Sequence, residues 1–110
     1  EELGAFMVAY DIDVANCSEK ELNHEVTKYG RGFAQAGGVQ AAVVNAIGDK
    51  YSNIHIEGLD KKNQALLKSM AKKPDAQFVE VMACDGGCIN GPCSLAPLTL
   101  AKRQIKKVLE

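Results

Sequence analysis

Three of the four cysteines in this chain of 110 residues crowd into a segment of ten residues. Cys84 and Cys88 are separated by three residues, and Cys93 follows after four more. Closely spaced thiols are typical of iron–sulfur sites, zinc sites and redox pairs. Residues 84–93 are therefore the first candidate for a chemical function.

The loop that carries these thiols is rich in glycine, at Gly86, Gly87 and Gly91. Glycine lets a backbone approach a bulky ligand closely and adopt positive φ. A helix predicted to begin near Ser94 would point its positive end toward the loop and stabilise an anionic centre there. Together with backbone N–H groups that can donate to sulfur, these features favour a net-anionic iron–sulfur cluster.

Zinc is the main competing interpretation of the cysteine loop. Structural zinc sites take four nitrogen or sulfur ligands, commonly as two spaced pairs. Here three cysteines are clustered, and both histidines, His24 and His55, are remote in sequence. A C-x-x-C redox pair is absent from the loop. Spacing alone thus favours iron–sulfur over zinc and leaves a purely structural role open. Cys17 lies far from the other thiols, and we expect it to have no function.

The composition excludes several other classes of protein. Apolar residues make up 46% of the chain and charged residues 25%, as in ordinary globular proteins. The net charge of -1 gives no reason to expect binding to nucleic acid or to an anionic membrane. Aromatic residues are only 5%, with no Trp, which argues against a base-stacking surface. No apolar run approaches the roughly 20 residues of a transmembrane helix.

The first residues of the chain bear on the cellular compartment that we expect for it. It opens on Glu1 and Glu2, with neither an initiator Met nor a signal peptide. We therefore expect a piece excised from a longer cytoplasmic protein. In that reducing compartment clustered cysteines more often bind metal or carry out redox chemistry than form disulfides.

The second half of the chain predicts strand, helix, strand and helix in that order. The strands are 53–58 and 76–83, and Asp60 caps the helix between them. One face of that helix is formed by Asn63, Leu66, Leu67 and Met70, and Pro74 ends the helix. Ser94 is predicted to cap the last helix, with Pro97 in its first turn and one face formed by Leu98, Ala101, Ile105, Val108 and Leu109.

The first half is less regular. A short helix is predicted over 2–10, and Ser18 with Glu21 fits a capping box that starts a brief helical turn. The glycine-rich stretch 30–38 predicts a loop around at most a very short strand. A helix follows that Gly48 ends, with an apolar face of Val39, Ala42, Val43, Ala46 and Ile47. The fold class is α/β, with a small partial sheet, parallel or mixed, of two to four short strands flanked by helices.

The stretch "EVMACDGGCING", residues 80–91, resembles the third signature of the iron-only (FeFe) hydrogenase catalytic domain. That signature is E-x-M-A-C-x-x-G-C-x-x-G, and every fixed position is matched. Residues 32–43 and 54–67 are similar to two earlier stretches of the same family, in the same order. The resemblance covers about residues 1–92. It implies that the chain is the C-terminal segment of a larger two-lobed domain.

The resemblance also implies a cofactor, the H-cluster, which joins a 4Fe–4S cubane to a two-iron subcluster. Cys84 would ligate the cubane, and Cys88 would ligate it and bridge to the two-iron unit. Met82 would pack beside the two-iron site, where a soft thioether suits the pocket. Phe33, with the turn formed by Gly37 and Gly38, would line the same cavity.

The implied reaction is reversible proton reduction, or hydrogen sensing if the chemistry has been lost. The implied partners are the remainder of the domain and a ferredoxin-type electron carrier. The two upstream signatures that supply the other cubane cysteines are absent from this chain, so we expect it to bind no cluster and to be inactive in isolation.

After Gly91, where the family has G-G-Q-P, this chain has Pro92, Cys93, Ser94 and Leu95. That departure resembles divergent, sensory members of the family. Cys93 is predicted to be an extra metal ligand, a proton-relay thiol or a small buried residue. The alternative function is a regulatory or interaction domain that keeps the fold without the cofactor. Its loop would be closed by packing, a zinc ion or a disulfide between Cys88 and Cys93.

Overall fold

The computed structural model describes residues 1–21 and 25–110, so His24 lies outside the described residues. The regular elements follow the chain in the order α1 (Glu2–Ala9), α2 (Lys28–Arg31), α3 (Gly38–Ile47), β1 (Asn53–Glu57), α4 (Lys61–Lys72), β2 (Phe78–Met82) and α5 (Leu98–Leu109). Short 3-10 turns occur at Val14–Asn16, Gly32–Ala34 and Cys88–Asn90.

The sheet confirms the predicted α/β class. β1 and β2 pair in parallel, with Asn53 opposite Phe78 at one end and Glu57 opposite Met82 at the other. Within the described part of the chain the sheet has these two strands, and α4 forms the crossover between them. Because parallel strands run in the same direction, both enter their following loops at the same edge of the sheet.

The crossover helix begins and packs as its sequence predicts. The Asp60 carboxylate accepts a hydrogen bond from the Asn63 backbone N–H at 2.7 Å, which satisfies a free donor of the first turn. Along the predicted face Asn63, Leu66 and Leu67 are half-buried and Met70 is buried. Met70 and Ile56 of β1 are the buried apolar residues of the described chain. The buried apolar side chains thus belong to the crossover helix and to the first strand of the sheet.

Helix α3 follows its predicted boundaries, with a smaller buried face. It ends at Gly48, whose φ of +83° is readily adopted by glycine. Val39, Ala42 and Val43 are half-buried, whereas Ala46 and Ile47 are exposed. The helix therefore packs through its first two turns.

The predicted loop over residues 30–38 is wrong in its first half, which forms α2 and a 3-10 turn. The Thr27 hydroxyl accepts the Gly30 N–H at 3.3 Å and caps α2. Gly32 is buried, and a Cβ there would lie 3.8 Å from Leu109 of α5. Capping and tertiary packing outweigh the low helix propensity of glycine here. The short strand predicted in this stretch is a single bridge residue, Gln35.

Two predicted helix starts are also wrong. Residues 18–21 form no helix; the nearby turn Val14–Asn16 is capped by Asp13, whose carboxylate accepts the Ala15 N–H at 3.1 Å. Helix α5 begins at Leu98, so Ser94 does not cap it and Pro97 precedes its first turn. The residue before a proline avoids the helical region, which delays the start of α5.

Much apolar surface remains open. Helix α1 forms as predicted but has no buried residue, and Leu3, Phe6 and Val8 are 65%, 52% and 83% exposed. The radius of gyration is 17.2 Å, whereas a compact domain of about 100 residues has a value near 13 Å. This is an open arrangement with a thin core. No helix in residues 1–21 and 25–110 is both long and apolar enough to span a membrane.

Candidate functional site

The cysteine loop is held by its own backbone. The Gly87 N–H donates to the Cys84 carbonyl at 3.0 Å, and the Gly91 N–H donates to the Cys88 carbonyl at 3.0 Å. The Asn90 and Ser94 N–H groups continue this series of tight turns, donating to the carbonyls of residues 87 and 91 at 3.1 and 3.0 Å. These backbone hydrogen bonds give the loop a defined shape.

This coiled loop brings its three thiols to one place. Cys84, Cys88 and Cys93 line a single cavity of about 320 Å³, together with Gly91, Pro92 and Ser94. Cys84 is half-buried, the other two cysteines are exposed, and all are free thiols. The disulfide considered between Cys88 and Cys93 is therefore not formed. Cys17 is exposed and donates through its Sγ to the Asp13 carbonyl at 3.4 Å.

The three thiols line the cavity without converging on one point. Across the described residues, no group of three His, Cys, Asp or Glu side chains is placed to hold a single metal ion. A tetrahedral zinc site with Zn–S bonds of about 2.3 Å would need its sulfurs within about 4 Å of one another. The geometry thus does not favour a preformed zinc site in this loop.

The first anchor of the loop is a carboxylate at the end of the sheet. Glu57, the last residue of β1, accepts a hydrogen bond from the Gly86 N–H at 2.8 Å. Gly86 is buried with a φ of +82°, and a Cβ there would lie 2.6 Å from the Leu98 side chain of α5. The backbone between Cys84 and Cys88 is therefore held on two sides, by β1 and by α5.

The second anchor is the segment before α3. Gln35 forms an antiparallel bridge with Gly87, and the Ala36 N–H donates to the Gly86 carbonyl at 3.1 Å. A Cβ at Gly87 would lie 2.5 Å from the Ala36 nitrogen, so the two backbones approach as only glycine allows. Two stretches singled out in the sequence, 32–43 and 80–91, thus meet directly.

The predicted pocket residues lie outside the cysteine cavity. Gly37 and Gly38 line a different cavity of about 320 Å³, together with His55. Phe33 is 48% exposed, and Met82 is half-buried at the end of β2. The structure therefore brings the three cysteines together in a cavity that Phe33, Gly37, Gly38 and Met82 do not line.

Glu80 of β2 has a role that the sequence left open. A buried carboxylate needs a hydrogen-bond partner, and the structure supplies one. Glu80 is 6% exposed, and its carboxylate accepts the N–H groups of Val39 at 3.4 Å and Gln40 at 3.0 Å. Gly37, at the N-cap of α3, has no side chain to cap the helix, so Glu80 supplies the acceptor from the neighbouring strand. The sequence signal for this residue was the Glu that opens the matched signature. Its contact with α3 is seen only in the structure.

A polar network extends this contact to β1. The Gln40 side chain donates to the Asn53 side-chain oxygen and faces His55 Nδ1 through its own oxygen at 3.0 Å. Because the Asn53 amide donates to the Tyr51 carbonyl at 3.0 Å, its oxygen is left as the acceptor. His55 is exposed and is hydrogen-bonded to Gln40.

Comparison with known proteins agrees with these motifs. Residues 1–92 match the family described as the iron only hydrogenase large subunit, C-terminal domain. The matched region includes Cys84 and Cys88 and ends one residue before Cys93.

A relative, Iron hydrogenase 1 of Clostridium pasteurianum, is 36% identical over 73 residues. The aligned part is 64% of this chain and 13% of that protein, so the chain spans a small fraction of its relative. The family match extends over most of the residues, from α1 to the cysteine loop. The chain belongs to the family formed by the C-terminal domains of iron-only hydrogenase large subunits.

Proposed function

We propose that this chain supplies two thiolate ligands, Cys84 and Cys88, to the iron–sulfur site of a hydrogenase-like protein. The observation that carries the proposal is their position on one cavity wall, in a loop anchored by β1, α5 and the segment before α3. The implied process is reversible reduction of two protons to dihydrogen, or sensing of dihydrogen by a site that no longer turns over.

The residues present fit a cluster chemically. A 4Fe–4S cluster takes cysteine thiolates, and hydrogen bonds to its sulfurs tune its potential. The loop offers free thiols and glycines without obstructing side chains. When bound, the cluster with its two-iron subcluster would supply electron storage and the site of proton reduction. The chain's own contribution is to hold and orient it.

The remaining pocket is proposed to form in the assembled domain. Met82, Phe33, Gly37 and Gly38 stay predicted cofactor neighbours that would meet the cluster once the rest of the domain is present. The open apolar surface of α1 supports such an assembly, because large exposed apolar patches mark interaction surfaces. Residues 1–110 would then be a segment of a larger cytoplasmic protein that exchanges electrons with a ferredoxin-type partner.

The test is anaerobic reconstitution of the full-length protein with iron and sulfide. Cys84→Ser and Cys88→Ser should each lower the bound iron and sulfide, whereas Cys17→Ser, at an exposed thiol far along the chain, should not. Unchanged cluster content in both loop variants would refute the assignment. Dihydrogen evolution from a chemical reductant then separates a catalytic protein from a sensory one.

A further inference from the structure

We propose that a cavity between β1 and α5 binds the phosphate group of a small phosphate ester, and that protonation of His55 strengthens this binding. The cavity has a volume of about 310 Å³, and its wall includes Lys102 and Lys106 of α5 and His55 and Glu57 of β1. Within the described residues it has no lining residue in common with the cysteine cavity, so the inference does not rest on the proposed cluster site. Helix α5 also lies beyond residue 92, where the family match ends.

The cationic side of the cavity comes from α5. Lys102 and Lys106 are four residues apart, so they are neighbours on one face of the helix. Leu98 packs beside Gly86 at one end of α5, and Leu109 lines the cavity at the other, so the helix that carries the lysines is held at both ends. An ammonium group is a compact charge with three donors, which suits the oxygens of a phosphate group.

Two carboxylates lie near these lysines. Glu110 is 3.6 Å from the Lys106 ammonium group, but the two side chains are 68% and 77% exposed, and exposed ion pairs contribute little to stability. Glu57 already accepts the Gly86 N–H at 2.8 Å through one oxygen, and its other oxygen can accept a hydroxyl group of the ester. The cavity wall therefore carries two lysine charges against one carboxylate.

The hydrogen bonds of β1 determine the tautomer of His55. The Gln40 amide group donates to the side-chain oxygen of Asn53, so the Gln40 oxygen is left as an acceptor. That oxygen lies 3.0 Å from His55 Nδ1, which therefore carries the proton. Neutral His55 has no proton on Nε2, and a proton added there makes a cation that keeps its hydrogen bond to Gln40.

Protonated His55 adds a third cation to the cavity wall. The charged and titratable groups around it are Lys102 and Lys106 of α5, Glu57 of its own strand, Glu80 opposite it in the sheet, and Lys28 and Tyr29, which line the neighbouring cavity with it. An anion bound between the lysines and His55 stabilises the imidazolium form. By linkage, the anion binds more tightly as the pH falls through the range in which histidine takes up a proton.

The size of the cavity and the rest of its wall indicate what the phosphate group is attached to. Ligand pockets in proteins have volumes of roughly 300–1,000 Å³, so this space is at the small end of that range. Ala36 and Leu109 give it an apolar side, and Gln35 gives it a neutral polar group. A short ester with a hydroxyl group fits this combination better than a nucleotide does.

The experiment is isothermal titration calorimetry of the full-length protein at constant ionic strength, with glycerol 2-phosphate as the probe. The ester should bind, and Lys102→Ala and Lys106→Ala should each raise its Kd about tenfold or more, since each removes a charged donor. Lys107→Ala is the matched control, because it removes the next cation of α5, which does not line the cavity. No binding, or an equal loss of affinity in Lys107→Ala, would overturn the site, and acetate binding as tightly as the ester would overturn the assignment of a phosphate group.

Sulfate tests the role of His55, because its charge is the same at pH values of about 6 and 8, on either side of the ordinary histidine pKa. The wild-type protein should bind sulfate several-fold more tightly at the lower pH. His55→Asn keeps an amide donor for Gln40 and removes Nε2, so it should bind sulfate with little dependence on pH. A wild-type affinity that does not change with pH, or the same change in His55→Asn, would overturn the role of His55.

Discussion

The Glu57 carboxylate accepts a hydrogen bond from the Gly86 N–H at 2.8 Å, which joins the end of β1 to the middle of the cysteine loop. Charge-assisted hydrogen bonds of this kind are roughly twice as strong as neutral ones. Since Gly86 lies between Cys84 and Cys88, this contact sets the path of the backbone that separates the two thiols. The sheet thus anchors the loop between its first two cysteines.

Replacing Glu57 tests this anchor. In Glu57→Ala the Gly86 N–H loses an acceptor in a partly buried place, at a cost of about 1.5–3 kcal/mol. Hydrogen exchange of the peptide 84–94 should then accelerate about tenfold or more, and bound iron should fall. Glu57→Gln keeps an oxygen acceptor and should give a smaller effect. Glu19→Gln, at an exposed residue, is the control. Unchanged exchange in Glu57→Ala would contradict the role of the anchor.

We expect replacement of Glu80 to affect the start of α3 more than the cysteine loop. Glu80→Ala leaves the Val39 and Gln40 N–H groups without their acceptor and should destabilise the start of α3 by about 2 kcal/mol or more. Exchange of amides 38–41 should rise strongly, and exchange in α4 should change little. Equal acceleration in α4 would show global unfolding and would not support a local capping role.

Gly86 should not tolerate a side chain. Gly86→Ala combines a φ of +82° with a Cβ 2.6 Å from Leu98, so it should cost more than the roughly 1 kcal/mol typical of positive φ alone. Gly48→Ala has nearly the same φ, +83°, with no atom within 4 Å of the added Cβ, so it introduces backbone strain without a clash.

The two glycine variants are compared by their bound iron, because only the Cβ added at residue 86 meets another side chain. The reconstituted Gly86→Ala protein should lose bound iron, whereas Gly48→Ala should retain it. Adding Leu98→Ala to Gly86→Ala should recover part of the loss, because it removes the clash. Equal iron binding by Gly86→Ala and Gly48→Ala would mean that the contact between Gly86 and α5 is not needed for the site.

Asp60 provides a stability variant away from the site. Asp60→Ala removes the cap of α4 and should cost about 1 kcal/mol, seen as faster exchange in the first turn of α4. Iron content should stay at the wild-type level, since the cap bonds to Asn63 and not to the cysteine loop. Loss of iron in this variant would mean that any destabilisation empties the site, which would weaken the interpretation of Glu57 and Glu80.

The parts of the fold that the sequence predicted are those with strong local signals. The strands β1 and β2 formed within the stretches predicted for them, and α4 formed with its predicted cap, Asp60, and with Met70 buried. The stretch 28–34 was missed because its helical turns depend on the Thr27 cap and on packing against α5. Glycine content alone predicted a loop there.

The sequence analysis named the cysteines of the candidate site and missed the contacts that support their loop. Spacing singled out Cys84, Cys88 and Cys93, which share one cavity, and the family resemblance covers the first two of them. The contacts of Glu57 with Gly86 and of Glu80 with Gln40 span 29 and 40 residues of sequence. Such distant pairs follow from the register of β1 and β2 and from the bridge at Gln35, which local patterns do not encode.

The most direct test of the central claim is X-ray anomalous diffraction from crystals of the reconstituted full-length protein, recorded at the iron and zinc absorption edges. We predict iron atoms at bonding distance from the Sγ atoms of Cys84 and Cys88, and no zinc signal in the loop. Iron located away from both sulfurs, or zinc bound by these cysteines, would contradict the proposed cluster site.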